Sequence, residues 1–106
     1  REEDGLAKSS RNTYLNTEER KAALCLSKSV AKGQEIIREG MSADELLKEM
    51  KMVIEAEPMA VIDYVSAVDA LTMEHVDIID RPVLVAMAVY IGKTRLIDNF
   101  SWEPAE

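Results

Sequence analysis

The chain has 106 residues, enough for one domain with a single modest core. Its composition, 47% hydrophobic and 31% charged, is that of a globular domain and excludes disorder. A formal net charge of −7 argues against a nucleic-acid binder, which needs a basic face to displace counterions, and against docking on an acidic membrane surface.

The first fifteen residues, Arg1 to Leu15, form a polar, glycine-bearing run with Lys8-Ser9-Ser10-Arg11 at its centre. Two hydroxyls between two cations make a compact donor set for phosphate oxygens: arginine offers a planar fork, lysine a point charge, serine a short hydroxyl. Taken alone, such a run is more often a solvated turn than an anion site. Gly5 suits a turn or a close backbone approach. Arg1 and Asp4 are expected to shape the loop, and Asn12 and Tyr14 to anchor it on the domain.

Asn16-Thr17-Glu18-Glu19 starts a helix, with Thr17 as the expected cap and two glutamates where the helix dipole favours negative charge. Leu26, Val30, Gly33 and Ile37, with Ala22 and Ala23, give its apolar side, and Gly40 its C-terminal cap. Gly33 costs about 1 kcal/mol relative to alanine inside a helix, which predicts a close contact or a kink. Ser42-Ala43-Asp44-Glu45 fits a capping box for a second helix, with Met41 stapling against Leu46. Leu46, Leu47, Met50, Val53 and Ile54 form its buried stripe until Pro58 stops it.

Val61 to Val68, rich in β-branched and aromatic residues, predicts a strand, followed by a polar connection over Asp69 to His75. Val83 to Ile91 is almost wholly apolar and reads as the central strand. Gly92-Lys93 is a two-residue turn signal, with Thr94 to Asn99 as the hairpin partner. The expected fold is α+β: two or more helices packed on a small, mostly antiparallel three-stranded sheet. The parts are a loop over 1–16, a helical pair over 17–57, a sheet over 60–99 and a tail over 100–106 in which Trp102 docks locally or stays loose.

The remaining chemistry-bearing residues have blander readings. Cys25, the lone cysteine, sits in an apolar helical stretch as a buried inert thiol and suits a reducing cytoplasm. His75 lacks partners at metal-ligand spacing and is read as solvated, so no metal site is expected. The six methionines read as core filler, and Thr94, Arg95, Asp98 and Asn99 as a structural cluster in which Arg95 and Asp98 pair or bond the loop backbone. Asp63, Asp69, Asp77 and Asp80 show no paired-carboxylate spacing, so a hydrolase is rejected. No apolar run approaches the roughly 20 residues needed to cross a bilayer.

Arg1, Asp4-Gly5-Leu6-Ala7, Ser9-Ser10-Arg11-Asn12 and Tyr14-Leu15 together resemble the segment leading into the C-terminal domain of the pantoate–β-alanine ligase family, the pantothenate synthetases. Gly92-Lys93-Thr94-Arg95-Leu96-Ile97-Asp98-Asn99 is similar to the strand that closes that family's chain, and Ile62-Asp63-Tyr64-Val65 with Asp69-Ala70-Leu71-Thr72 to its middle strand and turn. The resemblance covers essentially all of the chain, in order. It implies a C-terminal lid domain cut from a larger cytoplasmic enzyme, in keeping with a first residue that is not methionine.

That enzyme would condense pantoate and β-alanine into pantothenate, the precursor of coenzyme A, through a pantoyl adenylate, using ATP with Mg2+. Lys8, Ser9, Ser10 and Arg11 would hold the triphosphate. The family often has an apolar residue at the position of Lys8, so backbone contact is its implied role. No residue of this chain is implied as catalytic. The family's nucleotide-binding half, with its His-x-Gly-His signature, its substrate pockets and most of its homodimer interface, would lie N-terminal to Arg1, and the chain alone would be inactive. The competing reading is a non-catalytic α+β protein-interaction module. An upstream nucleotide-binding region bearing His-x-Gly-His would separate the two.

Overall fold

In a computed structural model the described residues are 1–104; residues 105 and 106 of the expected tail lie outside them. A short 3-10 helix, Ser10–Tyr14, precedes α1 (Thr17–Ile36), α2 (Ala43–Glu55), β1 (Ala60–Asp69), β2 (Val83–Ile91) and β3 (Thr94–Trp102). The strands pair antiparallel in the order β1-β2-β3, so the most apolar strand is central, as predicted. Both helices pack on one face of the sheet, and the α+β expectation holds.

The core follows the two periodicities. Leu26 and Val30 of α1 and Leu46, Met50 and Ile54 of α2 meet Val83, Val85, Met87, Val89 and Ile91 of β2, which alternate toward the helices. The other sheet face is open: Val61, Tyr64, Tyr90 and Ile97 are exposed there. Ser29, a buried hydroxyl between the helices, donates to the Met50 carbonyl at 2.9 Å, so its burial leaves no orphan donor.

Several boundaries differ from the sequence reading. The α1 cap is Asn16 rather than Thr17. Its side chain accepts from the Glu19 amide at 2.8 Å while the Glu19 carboxylate accepts from the Asn16 amide at 3.0 Å, the reciprocal pair of a capping box. The helix ends at Ile36 with Ile37 extended, before Gly40. Gly40 instead makes the left-handed turn into α2 (φ 91°) and donates to the Ile79 carbonyl at 2.7 Å. The segment before β2 is thereby tied across the helical connection: Ala43 donates to the Asp77 carbonyl at 2.8 Å, and Ile79 is fully buried.

Ser42 caps α2 as expected, accepting from the Glu45 amide at 3.4 Å. β3 runs past Asn99 to Trp102, so the start of the expected tail is strand, with Phe100 buried against the helices. Three methionines, Met41, Met50 and Met87, fill the core, but Met52, Met59 and Met73 are exposed, which corrects the core-filler reading for half of them. Among the described residues, no helix is long and apolar enough to cross a membrane.

Candidate phosphate loop

The loop before α1 is built on backbone turns and two cationic ties to β3. Gly5 adopts φ 95°, a left-handed conformation that glycine alone takes without strain, and Leu6 drops into the core. Arg1 reaches Asp98 with both terminal guanidinium nitrogens, Nη1 at 2.7 Å and Nη2 at 2.8 Å, and Nη1 also donates to the Gly5 carbonyl at 2.9 Å. Asp4 accepts from the Leu6 amide and from Arg20 of α1 at 3.1 Å. Desolvation works upward on Asp4, but the bonds from Arg20 and the Leu6 amide hold its carboxyl below the usual range. Arg1, Asp4 and Gly5 therefore shape the loop, as read from the sequence.

Lys8, Ser9, Ser10 and Arg11 all face solvent in one continuous run. The Ser9 hydroxyl accepts from the Arg11 amide at 3.1 Å and caps the 3-10 helix, which leaves its own proton free to donate outward. Arg11 Nη1 donates to the Arg95 carbonyl on β3 at 3.2 Å, and the remainder of its fork is open among the described residues. Beside it lies a cleft of about 240 Å³ lined by Arg11, Tyr14, Lys93, Thr94 and Arg95. Arg95 is countered by Asp63 at 3.0 Å, whereas Arg11 and Lys93 have no carboxylate partner among the described residues. Within an acidic chain the cleft is thus a local cationic patch, and its donors suit phosphate oxygens.

Asn12 is buried and its Nδ2 donates to the Ala7 carbonyl at 3.0 Å, fastening the loop as expected, while its Oδ1 is buried without a partner among the described residues. Tyr14, expected to anchor the loop as well, is 74% exposed and walls the cleft instead. Of the two roles expected for Arg95 and Asp98, pairing with each other or bonding the loop backbone, the pairing does not form. Three residues apart on a strand, they project to opposite faces. Asp98 points to the helix side and takes Arg1, and Arg95 points to the open side, over the Tyr64 ring at 5.9 Å. The sequence reading gave Lys93 to a turn and Thr94 to a structural cluster, and only the hairpin brings them beside Arg11.

His75 is exposed, and among the described residues no group of three or more His, Cys, Asp or Glu is arranged to hold a metal ion. Cys25 is buried, and desolvation, with the Glu57 charge adding to it, pushes its thiol up to about 11. A thiol raised that far carries little of the thiolate that a nucleophile needs.

A helical pair on a three-stranded sheet, fronted by an exposed Ser-Ser-Arg loop, is an architecture that recurs in solved structures. A pantothenate synthetase structure from Thermus thermophilus superposes with a TM-score of 0.85 at 35% identity, over 94% of this chain and 36% of that one. The pantothenate synthetase of Ruminiclostridium cellulolyticum is 65% identical over 105 residues, covering 98% of this chain and 37% of the relative. That of Clostridium acetobutylicum is 53% identical, covering 96% of this chain and 37% of its own length. A family model described as Pantoate-beta-alanine ligase matches residues 1–101. The chain belongs to the pantoate–β-alanine ligase family, and it spans about 37% of the length of the curated relatives it matches.

Proposed function

We propose that this chain is the C-terminal lid domain of an ATP-dependent, AMP-forming ligase that joins pantoate to β-alanine. The observation that carries the reading is the exposed Lys8-Ser9-Ser10-Arg11 run, held on β3 beside a cationic cleft, in a chain that matches the family from residue 1 to residue 101. In the reaction, the pantoate carboxylate attacks the α-phosphorus of ATP and pyrophosphate leaves. The β-alanine amine then attacks the acyl carbon of the pantoyl adenylate, loses a proton and expels AMP.

Negative charge grows on the departing phosphates in the first step, so donors already fixed around them lower the barrier. Ser9 and Ser10 supply hydroxyls there and Arg11 a charged fork, while Lys8 contributes through its backbone. With no acidic cluster among the described residues to hold Mg2+, the ion would be carried by the phosphates and by residues elsewhere in the ligase. Substrate pockets, the nucleotide-binding half and most of the homodimer contacts would belong to the part of the family's length that this chain does not span. The lone buried Cys25 fits a reducing compartment, and we assign the enzyme to the cytoplasm.

The test is a full-length ligase carrying this segment. Pantoate-dependent exchange of labelled pyrophosphate into ATP, followed by formation of pantothenate and AMP on adding β-alanine, is the expected result. Exchange that ignores pantoate, or no exchange at all, overturns the reading.

A further inference from the structure

Asp98 does not touch the Lys8-Ser9-Ser10-Arg11 run, yet it fixes the frame on which that run hangs. Its side chain, 5% exposed, lies on the helix-facing side of β3 between Leu96 and Phe100. One oxygen also accepts from the Asn99 amide at 2.8 Å, so the carboxylate is held in orientation before it meets Arg1. Arg1 is received by both oxygens and links on to the Gly5 carbonyl. The turn from Glu2 to Leu6 is closed by its own backbone bonds, Gly5 to Glu2 at 3.0 Å and Glu2 to Leu6 at 2.8 Å. Beyond it, Ala7 accepts from Asn12 on the far side of the run, and Arg11 donates to Arg95 three residues back on β3. One strand therefore secures both ends of the loop, at points about 10 Å apart along its length.

We propose that Asp98 is a positioning residue for phosphate binding, clamping Arg1 so that the Ser9, Ser10 and Arg11 donors stand in the geometry the nucleotide meets. This rests on the reading that the run binds ATP phosphates. A loop ordered in advance loses little freedom when the phosphates arrive, and donors displaced by an ångström lose their alignment with the reacting group. The two-pronged geometry matters: Asn at position 98 keeps the shape but loses the charge and offers only one carbonyl oxygen, and Lys at position 1 keeps the charge but loses the fork.

The experiment uses a full-length ligase made by replacing the matching segment of the Ruminiclostridium cellulolyticum relative with this chain. KM values for ATP, pantoate and β-alanine, kcat and the thermal midpoint are measured for the parent, Asp98→Asn, Arg1→Lys, their double variant and Arg11→Ala. The expected result is an ATP KM raised about tenfold in each single variant, with the other two KM values within twofold of the parent. The double variant shows no further rise, because both changes act through one contact. An ATP KM left unchanged by Asp98→Asn and Arg1→Lys, while Arg11→Ala changes ATP kinetics, overturns the positioning role alone. So does an equal rise in all three KM values, the mark of general loosening. No change in kcat or ATP KM for Arg11→Ala overturns the phosphate reading beneath it. If Asp98→Asn does not fold, the half-exposed Arg1 carries the same test through Arg1→Lys.

Discussion

Gly33 of α1 lies against the Phe100 ring of β3, so closely that a Cβ on the glycine would stand 2.9 Å from Phe100 Cε1 and 2.7 Å from Met50 Sδ of α2. Three elements meet at this point, and the absent side chain sets how near the helix approaches the sheet. Gly33→Ala gains about 1 kcal/mol of helix propensity but overpacks the junction, a change that costs roughly 1–3 kcal/mol. The expected net effect is a loss of about 1 kcal/mol, read from urea unfolding. A more stable variant would show that Phe100 and Met50 give way freely.

Arg11→Ala in the full-length ligase should lower kcat/KM for ATP by about tenfold to a hundredfold, since a hydrogen bond to a charged group contributes roughly 1.5–3 kcal/mol. Turnover should fall more than pantoate binding. Steady-state kinetics with each substrate varied in turn checks this, and unchanged turnover removes Arg11 from the phosphate site.

The chain by itself should bind ATP at millimolar affinity or weaker and form no pantothenate. Two or three charge-assisted bonds on an exposed loop, set against the loss of translational and rotational freedom, leave about 4 kcal/mol or less. Titration calorimetry decides: a micromolar Kd would mean that the loop needs no other part of the ligase.

Acid should loosen the turn after β1 before it unfolds the core. Asp69 accepts from the amides of Leu71 at 2.8 Å and Thr72 at 3.1 Å, and these two bonds, Leu71 first, lower its carboxyl pKa. A group depressed on folding stabilises above its unfolded value of about 3.9, and the contribution is lost as pH falls through the folded value. The Leu71 amide resonance should therefore titrate below about pH 3.9 and lose that titration in Asp69→Asn. A midpoint above about 3.9 contradicts the assignment.

Cys25 should react with a disulfide reagent at about pH 8 at least roughly a hundredfold more slowly in the native chain than in urea. Burial both blocks access and holds the thiol near about 11. The sign for stability follows from the same shift. Stability is full below the unfolded thiol value of about 8.5 and declines as pH rises through the folded one. Equal labelling rates in the two states would show that the α1 face opens readily.

The sequence by itself determined most of the local structure. Helical spacing in Leu26, Val30 and Gly33 and in Leu46, Met50 and Ile54, the Ser42 cap, the apolar Val83–Ile91 run and the Gly92-Lys93 turn each encode a preference within a few residues of chain. The Lys8–Arg11 donors and the family resemblance were legible for the same reason: they are contiguous strings.

What the tertiary structure alone decided are the long-range partnerships. Asp98 chose Arg1 rather than Arg95, Lys93 came to line the cleft with Arg11, Ile79 became core and Tyr14 stayed in solvent. A charge pattern along one strand names residues that can pair but not the face each occupies once the sheet is covered on one side. The physical reason is that these contacts join segments up to 97 positions apart. Their energy depends on where the helices hold the chain, and no local pattern records that.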